Sequence, residues 1–344
     1  MQQSPKIHAK PQEGAPVKPP YAGPRKSHDP WVHLLAGASG GFATAISTSP
    51  LDVLRTRLQS DFYQPISRTS TSAPGPIIPQ KTNHKTLRII GNIYKAEGWK
   101  AFFRGLGPSL AGVVPATAIK FYVYGNCKRI GSQMLGYGED STLIHAQAAI
   151  SAGIATATAT NPIWLVKTRL QLDRAQTTTG TRRYRNSLDC VQQVLRHEGL
   201  RGLYKGLSAS YLGSVETALH LVLYERLKVI LQKSLGPSDQ KQTPTQKEIT
   251  SWISTTGAAG SAKFAAALLA YPHEVIRTRL RQAPLENGVP KYTGLAQCFR
   301  LIAKEEGMAG LYGGLMPHMA RSIPSAIITL GVYEFVLRFI GTPE

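Results

Sequence analysis

One stretch of this chain occurs three times, and that recurrence constrains the fold more than any other feature. Pro50-Leu51-Asp52-Val53-Leu54-Arg55-Thr56-Arg57-Leu58-Gln59 returns as Pro162-Ile163-Trp164-Leu165-Val166-Lys167-Thr168-Arg169-Leu170-Gln171 and again as Pro272-His273-Glu274-Val275-Ile276-Arg277-Thr278-Arg279-Leu280-Arg281. The copies begin at 50, 162 and 272, so the periods are 112 and 110 residues. Repeats of that length are successive copies of one small domain, not short solenoid units. In each copy an apolar run rich in small residues precedes the proline, and an amphipathic basic run follows it. The proline removes a backbone donor and kinks or breaks a helix. Asp52 and Arg55 are three residues apart and Gln59 is four further on, which puts all three on one helix face.

Hydropathy alone leaves the solvent of this chain open. Its mean hydropathy is −0.15, low for a membrane protein, yet several stretches lack charge over the roughly 20 residues that span a bilayer. No charge occurs from Leu34 to Leu51 or from Ala146 to Val166. Four further candidates, Leu106–Gly131, Ser208–Leu231, Trp252–Ile276 and Gly314–Ile340, carry a few charges each. Charged positions inside spans persist where they face a water-filled cavity, and they then mark a solute path. Gly37 with Gly41, and Gly257 with Gly260, supply the small residues that let membrane helices approach. Six spans, two per copy, fit this pattern.

The connections alternate in character. The first and third are strongly basic, and the first, third and fifth each hold an amphipathic segment, Leu87–Ala96, Leu188–His197 and Leu295–Glu305, expected to lie along a membrane surface. The second, Lys128–Asp140, is short and balanced. The basic connections are expected on one side of the membrane and the termini on the other. The first connection holds a Ser/Thr/Pro-rich insertion at Ile66–Gln80, expected to be a flexible loop.

Lys and Arg number 40 against 20 Asp and Glu, a balance that calls for an anionic partner: nucleic acid, anionic lipid or an anionic solute. Cys127, Cys190 and Cys298 are too far apart for a zinc motif or a disulfide framework and are expected to be free, packed thiols. Residues 1–30 have no apolar h-region and no Arg-rich amphipathic pattern, and read as a disordered tail. No Gly-x-x-x-x-Gly-Lys-Ser/Thr loop, His-Glu-x-x-His or Cys-x-x-Cys occurs, and Gly105-Leu106-Gly107 runs into Pro108. Neither enzyme chemistry, a cofactor nor a metal finds support in these motifs.

A second motif recurs in phase with the first. Glu97-Gly98 leads to Phe103-Arg104-Gly105, Glu198-Gly199 to Tyr204-Lys205-Gly206, and Glu306-Gly307 to Tyr312-Gly313-Gly314. Pro-x-(Asp/Glu)-x-x-(Lys/Arg)-x-(Lys/Arg) three times, followed each time by this second motif, resembles the mitochondrial carrier family over roughly residues 31–340. The resemblance implies an all-α membrane protein of six transmembrane helices in three pseudo-threefold repeats, with short matrix surface helices. The expected units are a tail at 1–30, repeats at 31–133, 142–233 and 250–341, and a linker at 234–249. Both termini would face the intermembrane space across the mitochondrial inner membrane.

The same resemblance implies roles for residues. The acid of one repeat pairs with the base of the next, so Asp52 would meet Lys167 and Glu274 would meet Arg55, with Gln59 and Gln171 beside them, closing the matrix side. Trp164 stands where the family usually has a carboxylate, so Arg277 would lack its anion and be left a cation–π contact worth about 0.5–2 kcal/mol. Arg321 matches the family's mid-membrane contact position and would hold phosphate, as guanidinium does through a bidentate fork. The equivalent positions, Gly112 with Val113 and Leu212 with Gly213, would leave room for a base, and Lys120 and Glu216 would face the cavity. A cytoplasmic gate would use Tyr224, Glu225 and Lys228. It would be weak, because Gly125 follows Tyr124 and Leu337 stands where the base after Glu334 belongs. Gly313 replaces the usual cation at one of three cardiolipin contacts.

Asn161-Pro162-Ile163-Trp164 resembles the branch carrying pyrimidine nucleotides, NAD, and folate or FAD, and Tyr271–Gln282 resembles its pyrimidine nucleotide and NAD members. Residues 206–216 and Gln171-Leu172-Asp173 are most similar to its fungal pyrimidine nucleotide members. The expected function is exchange of pyrimidine (deoxy)nucleotides (UTP, CTP, TTP and related phosphates) by alternating access, as a monomer in cardiolipin-containing inner membrane. The alternatives are an NAD or flavin/folate carrier and, from another class, a basic nucleic-acid-binding or scaffold protein. A nucleic-acid binder would come off with salt, whereas a carrier needs detergent.

Overall fold

The computed structural model describes residues 30–61, 82–136, 138, 141–173, 183–234, 244–284 and 289–340. The N-terminal tail and the insertion at 66–80 lie outside them, apart from Pro30. Among the described residues the chain is helical, with no strand. Around the first signature it forms α1 (Pro30–Ser47), α2 (Ser49–Gln59), α3 (Thr82–Glu97), a 3-10 turn at Trp99–Phe103 and α4 (Leu106–Leu135). Around the second come α5 (Thr142–Leu172), α6 (Ser187–Leu203) and α7 (Leu207–Ser234). The third lies within α8 (Pro244–Arg281), followed by α9 (Leu295–Glu305), α10 (Gly307–Leu311) and α11 (Leu315–Ile340).

The three signature prolines act differently. Pro162 and Pro272 sit inside continuous helices. At Pro50 the helix is interrupted at Thr48, whose φ of −95° and ψ of 1° leave the helical region. The Thr44 carbonyl accepts both the Thr48 backbone N–H at 2.9 Å and the Thr48 hydroxyl at 2.8 Å, a back-bond that accompanies a bend in the helix just before the proline. α8 begins at Pro244, inside the stretch expected as a linker, because proline preorganises a first helical turn. The amphipathic segments of the basic connections form α3, α6 and α9. Asn186 starts α6 by accepting the Asp189 backbone N–H at 2.8 Å, an N-cap that satisfies one orphan donor.

The two glycines of the second motif take left-handed backbone in every copy. Gly98, Gly199 and Gly307 have φ of 76°, 68° and 65°, and Gly105, Gly206 and Gly314 have 78°, 78° and 77°. A side chain is strained there. The later glycine is also crowded: a Cβ on Gly105, Gly206 or Gly314 would lie 3.1, 3.2 or 3.0 Å from the carbonyl of Lys167, Arg277 or Arg55 respectively. The turn of each copy therefore seats against the signature helix of the next, and that of the third returns to the first.

Three apolar cores, one in each copy, lie beneath the surface helices rather than in one central mass. They are built around Ile93 and Phe102, around Leu165, Cys190 and Val194, and around Val275, Cys298 and Ile302. The long helices pack side by side, α1 on α11 and α4, α4 on α5, α5 on α7 and α7 on α8. Their outer faces expose large apolar side chains, among them Phe121, Met134, Leu143, Leu269, Ile327 and Phe335. Among the described residues, Trp99–Leu135 and Gly307–Ile340 are long and apolar enough by composition to cross a membrane. α5, α7 and α8 carry polar residues on the faces that meet the central cavity, which lowers their mean hydropathy.

Close helix approach does not occur at all the expected small residues. A Cβ on Gly41 would come within 2.5 Å of a Val113 methyl, and one on Gly153 would collide with the Ser214 hydroxyl. A Cβ on Gly257 or Gly260 would meet nothing within 4 Å among the described residues, so the close helix approach expected there is not seen among them.

Candidate functional site

α2, α5 and α8 meet one another at one end of the bundle, below a cavity of about 1000 Å³. The volume is at the upper end of the roughly 300–1,000 Å³ range of small-molecule sites. Six cationic side chains (Arg55, Lys120, Lys167, Arg277, Arg281, Arg321) and three carboxylates (Asp52, Glu216, Glu274) line it. The excess of three positive charges in a concave site concentrates anions.

Two ion pairs join helices at the narrow end. Lys167 on α5 donates to Asp52 on α2 at 2.8 Å, and Arg55 on α2 donates to Glu274 on α8. Arg321 on α11 also donates to Asp52. The expected pairing of Trp164 with Arg277 is corrected by the structure. Arg277 donates to Glu274 on its own helix at 2.5 Å, because a full carboxylate three residues back outcompetes an indole face. The cation over the Trp164 ring is Lys167, 5.3 Å from the centroid, and the indole N–H donates to the Thr160 hydroxyl at 2.8 Å. Between α5 and α8, therefore, no cross-helix ion pair forms at this level among the described residues.

A layer of neutral hydrogen bonds lies alongside. Thr56 on α2 donates to Gln171 on α5 at 2.7 Å, and Thr278 on α8 donates to Gln59 on α2 at 2.7 Å. Gln59 in turn donates to the Tyr271 hydroxyl at 3.1 Å. The third copy has arginine in place of glutamine. Arg281 donates through Nη2 to Asn161 Oδ1 at 2.7 Å and to the Ser210 hydroxyl at 3.0 Å.

A deeper set of contacts is strictly threefold, and reading the sequence alone missed it. The second base of each signature, Arg57, Arg169 or Arg279, is at most 1% exposed. Each forks onto the glutamate of the second motif, Arg57 onto Glu97 at 2.5 and 2.9 Å, Arg169 onto Glu198 and Arg279 onto Glu306 at 2.7 and 2.6 Å. Each also donates its Nε to a carbonyl of the following copy. Arg57 reaches Gln171 O at 3.1 Å, Arg169 reaches Arg281 O at 3.2 Å, and Arg279 reaches Gln59 O at 2.6 Å. Burial alone would raise the Glu198 carboxyl, but the Arg169 fork and Lys205 hold it below its ordinary value. Both partners recur in all three copies, so a signal was present. Their separations of 40, 29 and 27 residues give no local cue that they meet.

Of the positions expected to make room for a base, only Gly213 lines the cavity. Gly112 is covered by the indole, with Trp164 ring atoms 3.4 Å from where its Cβ would sit. Val113 packs on Gly41 at the α1–α4 contact. Leu212 is 40% exposed and outside the lining, because the lining face of α7 runs through Ser210, Gly213, Ser214 and Thr217, off which Leu212 is rotated. Lys120 and Glu216 do line the cavity. At the wider end the Tyr124 hydroxyl bonds His145 Nδ1 at 2.6 Å. Tyr224 is half-buried, the side chains of Glu225 and Lys228 lie outside those described, and Glu334 meets Arg338, one position beyond Leu337, at 3.9 Å.

Glu216, His273 and Glu274 place three potential metal-ligating atoms within 4.8 Å of one another. His273 Nε2 is buried without a hydrogen-bond partner among the described residues, 3.9 Å from Glu216 and 3.7 Å from Glu274. Glu274 already accepts from two guanidinium groups, whose charges oppose a cation at that point.

A family model described as "Mitochondrial carrier protein" matches residues 26–134, 138–235 and 249–344. The chain is 47% identical over 327 residues to the mitochondrial pyrimidine nucleotide transporter RIM2 of Saccharomyces cerevisiae, covering 91% of this chain and 86% of that protein. It is 48% identical over 320 residues to the mitochondrial carrier protein rim2 of Schizosaccharomyces pombe, covering 91% and 90%. Over 317 residues it is 41% identical to solute carrier family 25 member 36 of Mus musculus, covering 91% and 98%.

Proposed function

Because this chain belongs to the mitochondrial carrier family, we propose that it exchanges pyrimidine nucleotides across the mitochondrial inner membrane. The observation that carries this reading is the cavity, with six cations to three carboxylates and a floor of ion pairs shared between helices. A nucleotide needs compensating cations for its phosphates and polar neutral groups for its base. Thr156, Thr160, Ser214 and Thr217 on α5 and α7 supply the latter in the same cavity.

Alternating access follows from the charges. Asp52–Lys167 and Glu274–Arg55 hold the narrow end shut, and Arg321 shares Asp52. A polyanion bound beside Arg321 competes with Asp52 for it, weakening the network it has to pass. No bond in the substrate is made or broken. The three matches to the family model and the threefold arginine contacts support three repeats of two spans each, at 31–133, 142–233 and 250–341. The basic connections support a matrix location for α3, α6 and α9, with both termini on the intermembrane-space side. Cardiolipin is the expected lipid partner and the carrier acts as a monomer.

The test is exchange in liposomes of the purified full chain. Liposomes loaded with UTP are expected to take up labelled UTP or TTP faster than ATP or NAD. Faster uptake of NAD would refute the pyrimidine reading and leave the carrier fold intact. Arg321→Ala is expected to abolish exchange while the protein stays folded.

A further inference from the structure

The last position of the signature departs from the pattern of its own repeats: Gln59 and Gln171 in two copies, Arg281 in the third. The arginine is 6% exposed and lines the cavity. Its Nη2 reaches only neutral acceptors, Asn161 Oδ1 and the Ser210 hydroxyl, and its Nε has no partner. Among the described residues no carboxylate pairs with it. A guanidinium out of water without an anion is unfavourable, and such a charge is retained where something compensates it.

Among the described residues no anion is free to pair with it. Arg277 lies four residues earlier, on the same face of α8, and shares its one carboxylate, Glu274, with Arg55. On α5, the helix facing this sector, the acid position is Trp164. The sector between α5 and α8 thus holds two guanidinium groups against part of one carboxylate. Among the described residues no cross-helix ion pair blocks it, and the cavity reaches Thr168, Arg277, Thr278 and Arg281 there.

We propose that Arg281, with Arg277 above it, forms an anion subsite for the terminal phosphates of a nucleoside di- or triphosphate. The proposal rests on the reading that nucleotides occupy this cavity, and it makes Arg281 the residue that distinguishes phosphate number. Asn161 and Ser210 take both hydrogens of Nη2 and fix the plane of the guanidinium, leaving Nη1 as the charged donor for a phosphate oxygen; the single ammonium of lysine cannot keep this brace and reach the phosphate at once. On this proposal a monophosphate engages Arg321 alone, and a triphosphate engages Arg281 as well. Were Arg281 only a brace like Gln59 and Gln171, glutamine would serve equally well.

Competition by unlabelled UTP and UMP in proteoliposomes of the full chain decides between these roles. Arg281→Gln is expected to lower the preference for UTP over UMP by about tenfold, equivalent to about 1.4 kcal/mol. Arg281→Lys is expected to fall between it and wild type. Ser210→Ala, which removes one brace and no charge, is expected to shift both nucleotides together. An unchanged UTP/UMP ratio in Arg281→Gln, or equal loss for both nucleotides, overturns the subsite. Thermal unfolding checks that each variant is folded. Should Arg281→Gln fail that check, Arg281→Lys decides, and a wild-type ratio there overturns the proposal. Failure of the wild-type protein to exchange any pyrimidine nucleotide would instead remove the functional reading.

Discussion

Replacing Arg279 by lysine isolates what the buried forks contribute to stability. The guanidinium makes four hydrogen bonds with no side-chain exposure: to Gln59 O at 2.6 Å, the Tyr292 hydroxyl at 2.8 Å, and the two Glu306 oxygens at 2.7 and 2.6 Å. Lysine keeps the charge but presents its donors from one point. It can neither span both carboxylate oxygens nor reach the Gln59 carbonyl at the same time. At least two bonds are lost, and bonds to charged groups contribute about 1.5–3 kcal/mol each. Breaking a buried pair by removing one partner costs about 3–5 kcal/mol, which sets a similar scale. The expected loss for Arg279→Lys is therefore about 3–5 kcal/mol, or an apparent melting temperature lower by on the order of 5–10 °C. The control is Arg338→Ala, which removes a pair to Glu334 that is 84% and 66% exposed and should cost about 0–1 kcal/mol. Both variants would be followed by thermal unfolding in detergent. Arg279→Lys melting in the range of Arg338→Ala would show that the fork is dispensable and the reasoning wrong.

The cysteines and the helix contacts give two further tests. Burial pushes the Cys190 and Cys298 thiols up to about 12, so at pH 8 only about one molecule in 10⁴ carries the thiolate at either site. Maleimide should therefore label the folded protein at half-buried Cys127 and reach the other two on unfolding, as counted by intact-mass spectrometry; prompt labelling of Cys190 would contradict the packing described. Gly153→Ala drives a Cβ into Ser214 and should destabilise by about 1–3 kcal/mol, whereas Gly257→Ala, into open space, should leave the melting temperature near that of wild type.

The sequence made the helices and two ion pairs readable because their causes are local or repeated. Apolar runs of spanning length, amphipathic connections and the signature spacing all follow from neighbours a few residues apart. Leu295–Glu305 matches α9 residue for residue. Lys167 with Asp52 and Arg55 with Glu274 came from the repeat pattern carried by a resemblance. What stayed hidden depends on rotation and on competition between partners. The one-residue difference between Leu212 and Gly213 decides which faces the cavity, and no periodicity fixes that angle. The repeat pattern pairs Arg277 with a position on the neighbouring helix, where Trp164 offers no anion. Glu274, three residues away on the same helix, supplies it. Gly112 reads as empty space until the indole is known to fill it.

The threefold arginine contacts also bear on how the chain comes to be folded. Each copy lends a buried charge to the copy after it: the first to Gln171, the second to Arg281, the third back to Gln59. A chain closed in this way has no self-sufficient prefix. After two copies have been made, Arg169 still waits for a carbonyl near the end of α8, and Gln59 O for a donor from α8. α1 has nothing to pack on along the face that α11 later covers. Stability is thus acquired late and together, so fragments of one or two copies are incomplete objects rather than smaller carriers. Until its last helix is in place, such a chain depends on being held apart from other unfinished copies of itself.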